Sequence, residues 1–172
     1  MLTYTPRSGK IFNLVKEAGT TIWSGSDASN YSDKVEVDLI TNENKAVTVH
    51  LPNNKTNVYR KHGRNKPWKV IDTSTTNPQS VNIKYKYNSY FYINTQTSDG
   101  RRFEAKNGFA FNVVNEYINN NRVEIWKTDD EKDFAKKVEV EGNKCLIRDL
   151  MIHGVQILVV VVRVLIWIQL NR

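Results

Sequence analysis

The side chains able to do chemistry are few and scattered. The chain of 172 residues has three histidines, His50, His62 and His153, and one cysteine, Cys145. Zinc sites draw His, Cys and carboxylate ligands from short paired spacings, and none of these histidines has a second ligand at such a spacing. His50 falls at a polar position of an alternating segment and reads as a surface residue. Cys145, beside Lys144, would be reactive only if exposed, and a lone cysteine allows no internal disulfide. Asp129, Asp130 and Glu131 are adjacent acids that the positive end of a helix dipole explains before a catalytic pair does. There is no Gly-x-Ser-x-Gly, phosphate loop or dinucleotide fingerprint. The sequence therefore assigns no catalytic, metal or cofactor-binding residue, implies no cofactor and no small-molecule substrate, and reads as a protein that is not an enzyme.

The best candidate surface is basic. Lys55, Tyr59, Arg60, Lys61, Arg64, Lys66, Trp68 and Lys69 fall in one stretch without an acid, in a chain of net charge +7. Such a run could neutralise phosphates while its aromatics stack on bases. It reads as a solvated loop before it reads as a binding site, since charge runs usually keep surfaces wet. Two sequons, Asn30-Tyr31-Ser32 and Asn54-Lys55-Thr56, matter only in an exported, glycosylated protein.

These residues hang on elements that occur twice. Gly9-Lys10-Ile11-Phe12-Asn13-Leu14-Val15 is echoed by Gly108-Phe109-Ala110-Phe111-Asn112-Val113-Val114. Ile22-Trp23 is echoed by Ile125-Trp126, and Lys34-Val35-Glu36-Val37 by Lys137-Val138-Glu139-Val140. The offset is 99 positions at Gly9 and Gly108, and 103 from Trp23 and Trp126 onward. The difference falls in a turn, where insertions are tolerated. A self-match of this length is a fold-level signal. Trp23 and Trp126, recurring at equivalent places, read as strand-end core residues before they read as exposed anchors.

The pattern of Gly-x-x-Phe-x-x-Val, a turn, Ile-Trp and a lysine-flanked valine strand resembles the FAINT domain (frequently associated in Theileria). That module of unknown biochemical function is repeated in secreted, often subtelomerically encoded parasite proteins. The resemblance covers 35–140 as one complete unit and 1–34 as the closing part of a preceding one, with 141–172 as an apolar tail. It implies a secreted, host-directed interaction scaffold with an unknown protein partner, recognised by variable loops at 41–44, 53–66 and 73–80 on a constant β frame. The start of the chain lacks an apolar h-region, so no secretory signal peptide is expected in it. Because it begins inside a repeat, the chain is expected to be a fragment, the product of a truncated gene or a degenerate copy.

The fold class is mainly β: antiparallel strands in one or two packed sheets, with one short helix near 129–136. Residues 35–39 and 47–51 alternate and form a hairpin. Residues 81–87 alternate without a break and make the cleanest strand. Residues 90–126 read as an antiparallel meander, with Asp99-Gly100 and Asn107-Gly108 in type I′ turns. Thr128 to Glu131 fits a capping box. The apolar stretch 152–170, interrupted by Arg163, has three readings: a short membrane span, a strand, or out-of-frame sequence. Nucleic-acid binding through 55–69 and membrane anchoring through 152–170 are thus the alternatives to a protein-interaction scaffold.

Overall fold

The computed structural model describes residues 1–41, 43–142 and 144–148, and through backbone alone residue 149 and the strand Leu158–Val162. It is mainly β with antiparallel sheets, and its only described helical segments are single 3-10 turns. Contacts divide the chain into two compact units: Met1–Thr75 with Asn88–Tyr90, and Thr76–Tyr87 with Phe91–Arg172. The division falls inside the 35–140 span.

Unit 1 contains β1 (Leu2–Tyr4), β2 (Leu14–Glu17), β3 (Thr20–Ser24), β4 (Lys34–Leu39), β5 (Asn44–Leu51), β6 (Lys55–His62) and β7 (Lys69–Ile71). The sheet order is β1-β4-β5-β6-β7, and β2–β3 form a separate hairpin. Alternation in β4 and β5 puts Val35 opposite Val49 and Val37 opposite Val47. Those side chains meet Trp23, with Phe12, Val15, Ile22, Tyr59 and Trp68 packed around them. The period-2 pattern thus builds this core as expected.

Unit 2 contains β8 (Asn77–Asn82), β9 (Tyr92–Gln96), β10 (Gly100–Ala105), β11 (Phe109–Ile118), β12 (Asn121–Lys127), β13 (Ala135–Glu141), β14 (Lys144–Asp149) and β15 (Leu158–Val162). The order is β12-β11-β13-β10-β9, with β14 on β13, β15 on β14, and β8 parallel to β11. Phe103, Phe111, Val81, Val114, Val138 and Ile147 are fully buried at its centre.

The echo in sequence is an echo in hydrogen-bond register. Tyr4 faces Val35 as Phe103 faces Val138. Val15 faces Trp23 as Val114 faces Trp126, and each ladder slips at the next residue, between Val15 and Lys16 or Val114 and Asn115. Phe12 bridges Ser32 as Phe111 bridges Ala135. Both tryptophans pack on their unit's core, Trp23 buried and Trp126 partly so. The match also runs past 140: Val35 faces Val49 as Val138 faces Ile147, and β6 follows β5 as β15 follows β14. Residues 144–149 and 158–162 of the expected tail are therefore sheet strands standing where β5 and β6 stand in unit 1. The other residues of 152–170 lie outside the described set.

Several expectations need correction. The strand expected at 81–87 lies earlier, at Asn77–Asn82, in what read as a polar loop. Its end is set by Asn82, whose side chain accepts from the Lys84 N–H at 2.9 Å and turns the chain, leaving Tyr85 and Tyr87 exposed. Pro78 is tolerated because β8 is an edge strand. The meander over 90–126 is broken, since β13 lies between β10 and β11. The turn from Lys106 to Phe109 closes with a 3.0 Å bond, and Gly108 has positive φ while Asn107 does not. That is the pattern of a type II turn rather than I′, and such turns splay their flanking strands. Gly100 likewise lacks positive φ. The helix near 129–136 is only the 3-10 turn Glu131–Asp133. Buried Phe134, in extended conformation at its end, takes the chain straight into β13. In the first copy, Asp27 caps Ala28–Asn30 in the same way. Of the expected loops, 53–66 is mostly β6 and 73–80 runs into β8.

Candidate functional site

The basic run is mostly strand, so its side chains alternate between two faces of the unit 1 sheet. β6 pairs Lys61 with Lys45 and Arg60 with Lys69, which sets like charges opposite each other. Like-charge cross-strand pairs destabilise unless an anion intervenes. Glu17, at the end of β2, is that anion on one face. Its carboxylate accepts from Lys45 Nζ at 2.6 Å, Lys61 Nζ at 2.8 Å and Trp68 Nε1 at 3.1 Å. Lys61 also lies 6.0 Å from the Trp68 ring centroid.

Hydrogen bonds from Lys45 and Lys61 hold the Glu17 carboxyl at about 2, well below its ordinary 4.5, against the opposing effect of burial. A carboxylate depressed in the folded state stabilises above its unfolded pKa, and that contribution fades as pH falls toward the folded value. Unit 1 should lose about 1–2 kcal/mol between about pH 5 and pH 2, allowing for solvent screening of this partly exposed group. Glu17→Gln should show the loss already at neutral pH and flatten that part of the profile. Urea midpoints of both proteins across this range check it; parallel pH profiles would refute the assignment.

On the other face Arg60 is engaged by Tyr90. Its Nη1 donates to the Tyr90 hydroxyl oxygen at 2.6 Å, and its guanidinium carbon lies 5.3 Å from the ring centroid. Burial pushes the Tyr90 hydroxyl up to about 12; the Asp38 charge adds to this and the Arg60 charge opposes it. Asp38 in turn accepts from the Ser89 hydroxyl at 2.7 Å and the Tyr90 N–H at 2.9 Å, which ties Asn88–Tyr90 to unit 1.

The eight candidate residues therefore do not form one patch. Tyr59 and Trp68 pack on the core, and Lys61 and Arg60 are taken up internally. Lys55 stands at the opening of β6, about 23 Å of extended strand from His62 at its far end, beyond which Arg64 lies. Arg64, Lys66 and Lys69 cluster around the β6–β7 connection and are exposed. Among the described residues none of these three enters an ion pair. His62 beside them is held below its ordinary value by burial and by the charges of Arg60 and Lys69.

A second arrangement recurs in both units. Glu36 is buried with Lys34 at 3.3 Å and His50 Nε2 at 3.2 Å. Glu139 is buried with Lys137 at 3.0 Å, Arg102 at 2.8 Å and Arg148 at 3.1 Å. Burial raises the Glu139 carboxyl, but hydrogen bonds from Lys137 and Arg102 and the charges of Lys137 and Arg148 leave it lowered overall. His50 thus faces a carboxylate. The cations remain partly exposed around each buried carboxylate, and the cost of desolvating that carboxylate offsets much of the attraction.

The remaining reactive candidates fall to structural roles. Cys145 is buried, and burial pushes its thiol up to about 11, the reverse of an activated thiolate. Asp130 accepts from the Lys132 N–H at 3.0 Å, and Thr128 from the Asp130 N–H at 3.1 Å. Among the described residues no group of three or more His, Cys, Asp or Glu is disposed to hold a metal, and no helix is long and apolar enough to cross a membrane. His153 lies outside the described residues. Sequence reasoning missed Glu17, Lys45 and Tyr90. Glu17 lies 28 to 51 positions from its partners, and no local pattern marks it. Neither protein-family models, nor curated proteins, nor solved structures yield a match to this chain.

Proposed function

We propose that this chain is a non-enzymatic interaction module that binds an acidic protein surface through Arg64, Lys66 and Lys69. Its resemblance to the FAINT domain makes that partner a host protein met after secretion. The observation that carries the reading is the contrast among the cations of unit 1. Lys45, Lys61 and Arg60 are taken up by Glu17 and Tyr90, while the cluster at the β6–β7 connection faces solvent. Charge of one sign gathered at one connection steers an oppositely charged partner and sets its orientation. Tyr59 and Trp68, partly buried against the core, offer less ring surface for stacking on bases, which favours the protein reading over the nucleic-acid one.

The test is anisotropy with a fluorescent polyglutamate peptide and with single-stranded DNA. The peptide should bind, and R64E/K66E/K69E should weaken it by at least about tenfold. Tighter binding to DNA, falling steeply with salt, would replace this reading with the nucleic-acid one. No binding of either probe at low salt would remove the basic cluster as a site.

A further inference from the structure

The two units share a frame but not its completion. In unit 2 the outer edge of β10 is covered by β9, with Phe103 opposite Asn94 and Ala105 opposite Tyr92. The outer edge of β11 is covered by β8 running parallel, with Phe109 opposite Asn77 and Val114 opposite Val81. By register, β1 stands for β10 in unit 1 and β2 for β11. Among the described strands nothing covers those edges: β1 ends its sheet, and β2 pairs with β3 alone.

The side chains record the difference. Tyr4 is 51% exposed where Phe103 is 0%, and Ile11 is 53% exposed where Ala110 is 0%. Leu2 and Leu14 are also exposed, at 49% and 42%. An open strand edge flanked by exposed apolar side chains is a template for another strand. Unit 2 shows what fits there: β8 supplies buried Val81, and β9 supplies buried Tyr92, whose ring meets that of Phe103 at 5.6 Å.

We propose that unit 1 is a strand acceptor, and that its β1 and β2 edges bind an extended segment of the Asn77–Gln96 kind supplied by a neighbouring repeat. A parallel strand carrying a β-branched residue next to its last position, as Val81 stands in β8, lies along Ile11 to Lys16. An antiparallel strand opening with an aromatic lies along Leu2 to Tyr4, its ring against Tyr4. Pro6, at the place of Ala105, offers no N–H, so that ladder ends one residue early. The site owes nothing to the basic cluster, and charge reversal there leaves it intact.

The test places a second copy of residues 76–100 ahead of Leu2, in place of Met1, in the otherwise whole chain. This keeps the spacing of unit 2 and puts a glycine where Gly100 stands. Amide exchange of Leu2–Tyr4 and Leu14–Glu17 should slow by at least about tenfold. The same addition carrying Val81→Asp and Tyr92→Asp in the new copy should leave those amides as they are in the parent. Equal exchange with and without the added segment, or slowing by both versions alike, would overturn the proposal. Protection already present in the parent and growing with its concentration would instead identify a second copy of the chain as the occupant, and would overturn it too.

Discussion

Replacing Phe111 with alanine should cost unit 2 about 3–5 kcal/mol, and the equivalent change at Phe12 should cost unit 1 only about 1–2. Both residues start from the same frame position: Phe111 bridges Ala135 at the start of β13, and Phe12 bridges Ser32 just ahead of β4. Phe111 is wholly buried, its ring 6.4 Å from that of Phe91 and 6.3 Å from that of Tyr92. Those partners belong to the segment that covers unit 2, and Phe12 is only partly buried. Truncation in a closed core removes transfer free energy and leaves a cavity; truncation at an open face removes a smaller transfer contribution and leaves no void. Urea unfolding resolved by amide exchange in each unit would measure both values. Equal costs would mean that burial differs less between the units than the exposures indicate.

Gly100→Ala should be nearly as damaging, at about 3 kcal/mol. The reason is proximity rather than dihedral freedom. A Cβ at this position would stand 1.7 Å from the Val140 carbonyl oxygen and 2.8 Å from its carbon. Both are backbone atoms of the strand to which Gly100 pairs, opposite Glu141, so no side chain can move aside. Relief requires β10 to part from the end of β13, which loosens the ladder that carries Phe103 and Val138. Thermal unfolding would show the loss, and exchange would place it in Gly100–Ala105. A variant within about 0.5 kcal/mol of the parent would contradict this close approach.

What was legible in the sequence was what local rules govern. Alternation placed Val35, Val37, Val47 and Val49 on one face. The doubled Phe, Trp and Val positions marked a repeat, and the strands that carry them share their registers. Nothing local announced that β13 lies beside β10, because that pairing spans more than thirty residues and follows from a turn that splays its strands rather than closing them. Residues 81–87 misled because alternation cannot show where a strand stops when a side chain, here Asn82, captures the backbone. The basic stretch looked like a loop because cations there outnumber acids. Its acid, Glu17, arrives from a different hairpin. Site reasoning fails in this way whenever neutralising charge is distant in sequence.

The buried thiol of Cys145 gives the chain a built-in stopwatch. It is the only sulfhydryl, it is enclosed on β14 within unit 2, and its raised pKa leaves little thiolate at neutral pH. A maleimide or disulfide reagent can reach it only when that strand opens, so labelling rate at fixed reagent counts openings of unit 2 and is blind to unit 1. Against this clock the Phe111 variant should react faster and the Phe12 variant at the parental rate, with no isotope, spectrometer or second label required.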